Sequence, residues 1–414
     1  MQEIEMALGV GRCTAQEALD GLSPMLGELP DIQPAEYLAR QARVQALMRA
    51  QGVSALVLHA GANLRYFSGL VWSASERFVG AVLPAEGALR YVAPWFELGT
   101  VNDLLQIAGP VHSWHEHENA YACVHAALAA AGVEQGRVAL DENLPYFMVD
   151  GLQRSAPAQM QLFSAAELTA ACRMHKSEHE LALMQRAFDM TLAVQRATAS
   201  MLREDISTQE VAEFIDAAHR RVGAKGSSFV IVLFGEASSY PHGVKHVQHL
   251  RTGDVVLIDT GCYVHGYTSD LTRSYVYGTP SARVREIWSL EKRAQAAAFQ
   301  AARLGAPCSA VDAAARACLE SAGLGPGYSL PGLPHRTGHG IGLSIHERPY
   351  LVASDHTPLA PGMCFSNEPM IVLPGEFGIR LEDHFYMTEH GPRWFTPPSR
   401  SLDDPFGLAP PDLG

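Results

Sequence analysis

The sequence predicts an α/β protein of two domains. Three observations carry this: the length, an alternation of helical and strand patterns in the first part of the chain, and a change of character near residues 164–177. A chain of 414 residues exceeds what one hydrophobic core usually organises. Hydrophobic residues make up 47% and charged residues 18%, which leaves apolar surface enough for two cores.

Residues 1–35 read as an N-terminal arm, because Pro24, Pro30 and Pro34 interrupt it and no periodicity is sustained. Glu36 to Gln51 predicts a helix with Leu38, Val44, Leu47 and Met48 as its apolar stripe, and Gly52 is its stop signal. The short run Ala55-Leu56-Val57-Leu58 predicts a buried strand. Further strands follow at Phe78 to Leu83 and Leu89 to Val92, and the alanine-rich run Ala122 to Ala131 predicts a helix. Residues 36–165 are therefore expected to form a first α/β domain, and residues 170–414 a second one.

In the second domain a long helix is expected from Ser177 to about Leu202. Ser207 with Glu210 three residues later is a capping-box signature, and the helix it opens should run towards Val222. Strands are expected at Phe229 to Phe234 and Val255 to Ile258. Two more helices should cover Arg283 to Arg303 and Ser309 to Ala322, and the tail from Asp403 reads as an extended cover.

The formal charge is −13 and there is no basic stripe, which argues against a nucleic-acid partner and against an anionic membrane surface. Seven cysteines are scattered without a CxxC pair, so reduced thiols are expected rather than a disulfide framework. The N-terminus, Met-Gln-Glu-Ile-Glu, is acidic where a secretory signal would be basic. No apolar run reaches the roughly 18 residues that span a bilayer. A soluble, cytoplasmic protein is the resulting expectation.

Three segments carry chemistry. In the first, Asp259 ends the apolar run Val255-Val-Leu-Ile, and Asp270 lies eleven positions on, past Gly261 and Gly266. A hairpin would bring both carboxylates side by side, where they repel unless a proton or a cation sits between them. In the second, His335-Arg-Thr-Gly-His339-Gly-Ile-Gly342-Leu-Ser-Ile-His346 packs imidazoles among glycines that let backbone approach a site closely. In the third, Glu368 and Glu382 are each flanked by apolar residues, so each must be paired, hydrogen-bonded or metal-bound. An ion pair with Arg380 is the alternative to a metal. The surface cluster His112, His115 and His117 carries no comparable signal.

Taken together, Asp259, Asp270, His339, Glu368 and Glu382 make an oxygen-rich set with one imidazole. That set favours Mn²⁺, with Co²⁺, Fe²⁺ or Zn²⁺ possible. Four carboxylates exceed the charge of one divalent ion, so two ions make better electrostatic sense. Two ions roughly 3.5–4 Å apart can share a water, lower its pKa and polarise a carbonyl.

These segments resemble the "pita-bread" metallohydrolase superfamily of Xaa-Pro aminopeptidases, prolidases, methionine aminopeptidases and creatinase. The superfamily spacing is Asp, a second Asp eleven on, His within GHG, Glu twenty-nine after the His and Glu fourteen further; this chain keeps each interval. The resemblance implies an N-terminal creatinase-like α/β domain ahead of a pita-bread catalytic domain. It implies that Asp259 chelates one ion and His339 with Glu368 the other, that Asp270 and Glu382 bridge, and that Glu368 transfers protons. It also implies roles at substrate for His242, seventeen residues before Asp259, and for His335, His346 and Arg380. Asn63-Leu-Arg-Tyr66-Phe67-Ser-Gly69 is similar to the family's N-terminal domain.

The full ligand set argues against creatinase, and the large first domain against a plain methionine aminopeptidase. The resemblance thus implies a Xaa-Pro dipeptidase that cuts the imide bond before proline in small peptides with proline second. A Xaa-Pro aminopeptidase acting on longer peptides and a non-peptide amidohydrolase are the alternatives; a catalytically silent binding relative is the non-enzyme reading. A dipeptidase must bind a free carboxylate, for which Arg348 and Arg380 are candidates. The interval between Glu368 and Glu382 leaves no room for the arginine-bearing insertion of some prolidases. A homodimer, in which the N-terminal domain closes the partner's pocket, completes the expectation.

Overall fold

The computed structural model describes residues 6–410. Residues 1–5, read above as an acidic N-terminus, and the last four residues of the tail lie outside the described residues. The chain divides into two compact units: Pro30–Arg173, and a second assembled from Met1–Leu29 with Met174–Gly414.

The chain begins with a short helix, α1 (Ala15–Asp20), opened by a capping box between Thr14 and Glu17. The arm that carries it is tied to the second unit by backbone bonds. Leu8 N–H donates to Asp403 O (2.8 Å), Gly11 N–H to Ala199 O (3.0 Å) and Met25 N–H to Val222 O (2.7 Å).

The unit Pro30–Arg173 alternates helices and strands: α2 (Pro34–Ala50), β1 (Val53–His59), α3 (Ala62–Ser68), β2 (Gly80–Pro84), β3 (Arg90–Pro94), α4 (Leu98–Leu104), β4 (Val111–Trp114), α5 (Ala120–Ala130), β5 (Gly136–Leu140), α6 (Tyr146–Ser155), β6 (Met160–Ser164) and α7 (Ala166–Arg173). Pro34 sits in the first turn of α2, where a missing N–H costs nothing. The strands form one sheet in the order β4-β3-β2-β1-β5-β6. Strand β1 pairs antiparallel with β2 and parallel with β5. Ala55 to Leu58 are fully buried, which is why they read as a continuous apolar run instead of an alternation.

The second unit continues with α8 (Glu178–Met201), α9 (Thr208–Arg221), β7 (Ser227–Phe234), β8 (Val255–Val264), β9 (Tyr267–Thr268), β10 (Leu271–Val276), α10 (Ala282–Ala301), α11 (Cys308–Glu320), β11 (Gly338–Gly340), β12 (Glu347–Leu351), β13 (Cys364–Asn367), β14 (Met370–Leu373), β15 (Phe377–Arg380), β16 (Asp383–Thr388) and β17 (Gly391–Trp394). Capping boxes at Ser177 with Glu180 and Ser207 with Glu210 open α8 and α9. Strands β10, β8 and β7 form one antiparallel sheet, extended by β9 on β8, and β12-β11-β13-β16-β17 form another. A β14–β15 hairpin packs with α10 and α11 in a core containing Trp288, Leu319, Ile371 and Ile379. Strand β8 runs past Ile258, where the apolar run ends, because β7 and β10 pair with its polar residues from both sides.

No helix among the described residues is long and apolar enough to cross a membrane, and the seven cysteines are free thiols.

One buried polar group ties α8, α9 and β7 together. The His219 ring bonds Thr191 Oγ1 (3.1 Å) through Nε2 and Ser227 Oγ (2.8 Å) through Nδ1. Burial lowers this histidine from 6.5 to about 4, against the charge of Asp216 and the backbone of Ile215. The unfolded chain therefore binds the proton first as pH falls. The stabilisation is complete above pH 6.5 and is lost as pH drops through about 4. It amounts to at most about 3.5 kcal/mol at roughly 1.4 kcal/mol per unit. His219→Gln is expected to flatten the decline in urea-unfolding free energy between pH 7 and pH 4.5; parallel declines in both proteins would show that this ring is not the titrating group.

Candidate metal centre

Antiparallel pairing of β8 with β10 sets Asp259 opposite Thr272 and Thr260 opposite Leu271. Asp270 is the residue just before β10, so the two carboxylates are diagonal neighbours across the ladder. The turn closes tightly: a Cβ on Gly261 would lie 1.9 Å from Ser269 O. Only glycine permits that approach. Behind the strands, the amide of Gln195 on α8 donates to Ile258 O (3.0 Å) and Leu271 O (2.9 Å). One side chain thus holds the residue before Asp259 and the residue after Asp270.

His339 lies in β11, with β12 and β13 on either side. A Cβ on Gly338 would stand 2.1 Å from Ser366 O, so glycine is again required for the strands to meet. The His339 N–H donates to Ser366 Oγ (2.8 Å). Nδ1 of its ring bonds Gly340 O (3.0 Å), which makes Nδ1 the protonated nitrogen of the neutral ring. Nε2 then faces Glu368 Oε1 (3.1 Å) and Asp270 Oδ2 (3.6 Å).

Both glutamates sit in breaks between strands: Glu368 between β13 and β14, Glu382 between β15 and β16. Gln295 on α10 holds this second pair much as Gln195 holds the first. Its side-chain amide donates to Leu381 O (3.0 Å) and Asp383 Oδ2 (3.0 Å), and its backbone carbonyl accepts from Asn367 Nδ2 (2.9 Å). Arg273, 1% exposed, donates to Asp383 Oδ1 (2.7 Å) and Glu382 O (2.9 Å).

The electrostatics of the set is unbalanced in a way that a cation corrects. Asp259 Oδ1, Asp270 Oδ1 and Glu382 Oε1 are buried without a hydrogen-bond partner. Burial, then the charges of Glu382, Asp259 and Glu368, hold Asp270 well above the usual carboxylate range. Burial, Glu368 and Asp259 do the same to Glu382, against Arg380. Burial acts upward on Glu368, but while His339 also carries a proton on Nε2, its hydrogen bond and charge, with the charges of His335 and Arg380, outweigh burial and hold the group ionised; once that proton leaves, the Nε2 lone pair is open to a cation. A nitrogen lone pair and three unpartnered oxygens converging in one buried place fit divalent cations. The Nδ1–H to backbone carbonyl bond is the usual orienting contact of a ligating histidine.

The remaining sequence candidates are placed as follows. Arg380 is buried and its donors are engaged: Nη2 to Asp259 Oδ2 (2.5 Å), Nε to Thr272 Oγ1 (3.0 Å) and Nη1 to Pro241 O (3.1 Å). Its hydrogen-bonded partner is thus Asp259 and not Glu382. The Glu382 carboxylate instead accepts from Thr272 Oγ1 (2.6 Å). His346 stands edge-on to His339 with centroids 4.3 Å apart, and burial lowers it to about 4. His335 donates through Nδ1 to Arg336 O (2.7 Å), leaving a buried Nε2 unpartnered. His242 is exposed, with its charge felt at His335 and His346. Arg348 is exposed and acts on Asp355.

Sequence reasoning missed Thr272, Arg336 and His384. The Arg336 guanidinium lies 4.4 Å from the centroid of the Tyr350 ring, and its charge is felt at His346. Donor atoms of Asp270, His339, Glu382 and His384 all lie within 4.8 Å of one another. Glu382 lies in the break before β16, so no strand alternation ties His384 to it and no signal along the chain marked this residue.

The model of "Metallopeptidase family M24" matches residues 182–389, and that of the "Creatinase/Prolidase N-terminal domain" matches residues 40–175. A protein of Mycobacterium tuberculosis named "Probable dipeptidase PepE" is 36% identical over 361 residues, covering 86% of this chain and 94% of the relative. The crystal structure of dipeptidase PepE from Mycobacterium ulcerans superposes with a TM-score of 0.83 at 34% identity, over 90% of this chain and 99% of that one. A prolidase structure from Thermococcus sibiricus gives 0.81 at 29% identity, over 88% and 98%. The expected architecture, a creatinase-like domain followed by a pita-bread domain, is that of these relatives.

Thr272 is the hinge of the polar contacts here, because one hydroxyl donates to Glu382 and accepts from Arg380. Thr272→Val keeps the buried shape and removes both bonds. The variant is expected to lose about tenfold in divalent-ion affinity, as for other residues that orient a ligand. Calorimetric titration of the ion-free protein with Mn²⁺ measures this, and equal affinities would remove Thr272 from the support of the site.

Proposed function

The chain belongs to metallopeptidase family M24, and on that premise we propose that it is a Xaa-Pro dipeptidase. The observation that carries the reading is the convergence of unpartnered oxygens of Asp259, Asp270 and Glu382 on the face where His339 Nε2 meets Glu368. These five residues would hold two divalent ions, with Asp270 and Glu382 shared between them. Four of the five donors are carboxylates, which favours Mn²⁺ and admits Co²⁺, Fe²⁺ or Zn²⁺. Bound there, the ions would supply Lewis acidity, polarising the scissile carbonyl and acidifying water.

The chain's own groups do the rest. Glu368, whose Oε1 stands 3.1 Å from His339 Nε2, is the carboxylate placed to accept a proton from water. His335, fixed as the Nδ1–H tautomer, offers Nε2 as an acceptor towards substrate. His346 is neutral near pH 7 and can donate to an oxygen that gains charge. His242 adds a donor from the exposed side. Arg380 compensates the carboxylates by holding Asp259.

Proline as the second residue is supported by the prolidase and dipeptidase relatives. That imide bond needs its own enzyme class because proline fixes φ and lacks N–H. A dipeptidase also needs a cation for the substrate carboxylate; Arg336 beside His346 and the exposed Arg348 suit that role. One observation favours the aminopeptidase reading: each of the three nitrogens of Arg380, the other candidate, already bonds a protein oxygen. A homodimer is supported by the exposure of Trp95, Phe96, Tyr146 and Phe147, at 56%, 52%, 78% and 50%. A cytoplasmic setting is supported by the free thiols.

The Mn²⁺-loaded protein is expected to hydrolyse a Xaa-Pro dipeptide with kcat/KM at least about tenfold above that for a Xaa-Pro tripeptide, a difference of about 1.4 kcal/mol. The reverse ratio would make it an aminopeptidase, and inertness towards both would overturn the class. Asp270→Ala and Glu382→Ala are each expected to release both ions, counted by elemental analysis after desalting, and to abolish turnover. One ion retained in either variant would end the bridging assignment.

A further inference from the structure

His384 lies two residues beyond Glu382, at the start of β16 and opposite Ser366 of β13. Glu382 lies in the break just before this strand, and one nitrogen of the His384 ring comes within 4.8 Å of a Glu382 carboxylate oxygen. The ring is fully buried, and neither nitrogen has a hydrogen-bond partner. The backbone of Asp270 lies near the ring without making a hydrogen bond of normal geometry. Phe188 covers one side at 4.9 Å between centroids, and the His339 ring stands 5.8 Å away at 65°.

A buried polar group left without a partner costs about 1–3 kcal/mol. His59 bears that cost as a core side chain beside Phe78, and among the described residues it belongs to no cluster of possible ligands. His384 differs. One of its nitrogens joins atoms of Asp270, His339 and Glu382, all mutually within 4.8 Å. Donors on opposite sides of an ion bonded at about 2.0–2.4 Å are separated by about 4–5 Å, so the four fit around a single cation.

Resting on the metal reading above, we infer that His384 is a sixth protein donor of the centre, placing a second imidazole beside His339 on one of the two ions. The donor set of that ion then shifts from carboxylate towards nitrogen. Imidazole suits Co²⁺, Fe²⁺ and Zn²⁺ better than Mn²⁺, so this position discriminates among metals. The two ions should accordingly differ in tightness and in preferred element.

The test uses the ion-free full chain, titrated with Co²⁺ and followed by visible absorption and calorimetry. His384→Gln and His384→Ala are compared with the unaltered protein, with far-ultraviolet circular dichroism as the check on folding. One of two Co²⁺ equivalents should bind at least about tenfold more weakly in the folded variants, with its absorption band moved, while Mn²⁺ affinity changes less. Identical Co²⁺ spectra and affinities would overturn the inference. Pulsed paramagnetic resonance of the Mn²⁺-loaded unaltered protein decides without a substitution: couplings from two imidazole nitrogens support His384, and one alone overturns it. An unaltered protein that takes up no Co²⁺ or Mn²⁺ would sink the metal reading itself, a different outcome from ions bound with His384 uninvolved.

Discussion

Four carboxylates gathered in one buried place repel one another, and the second unit is organised around that repulsion. Water cannot screen them, because Asp270 and Glu382 are 5% and 1% exposed. The protein offsets part of the charge with Arg380 on Asp259. What is left over is directional: an unpartnered oxygen on each of Asp259, Asp270 and Glu382. A site completed by protein groups alone would have satisfied those atoms. Leaving them open concentrates negative potential where cations bind.

Such a cluster keeps its geometry only if its backbone is held from outside. Two buried glutamines do this from opposite helices. Gln195 on α8 grips the carbonyls beside Asp259 and Asp270, and Gln295 on α10 grips the residues on both sides of Glu382 together with Asn367 next to Glu368. Each uses an amide, so neither adds charge to a place already crowded with it. The long helices are therefore part of the chemistry, since they carry the donors that set carboxylate spacing. The glycines act at the same level, with Gly261 and Gly338 allowing backbone contacts that a Cβ would prevent.

Further out, the same strand segments present substrate-facing groups. His346 is followed by Glu347, whose carboxylate accepts from Lys176 Nζ (2.6 Å) in a buried ion pair. A loop anchored this way holds the His346 ring against His339. Thr272 and Ser366 work as relays: each hydroxyl touches one carboxylate of the set and a second member of its support. The family relationship and this arrangement point in the same direction from independent starting points, one from homology and one from unsatisfied polar atoms.

Local features were legible in the sequence because their causes lie within a few residues. Ser177 and Ser207 announce α8 and α9, since a cap needs only its own first turn. The alternation of helices and strands in the first unit, and the spacing of Asp259, Asp270, His339, Glu368 and Glu382, could likewise be read along the chain. Residues far apart in sequence decided the rest. Nothing local says that Arg380 bonds Asp259 and not Glu382, that Thr272 stands on Glu382, or that β8 stays a strand past its last apolar residue because two neighbours pair with it. Nothing local turns His384 from a core residue into a neighbour of Asp270 and His339 either. Composition and spacing determine which donors the chain owns, but the lone pairs that remain unpaired are settled only when strands and helices from across the fold close around them.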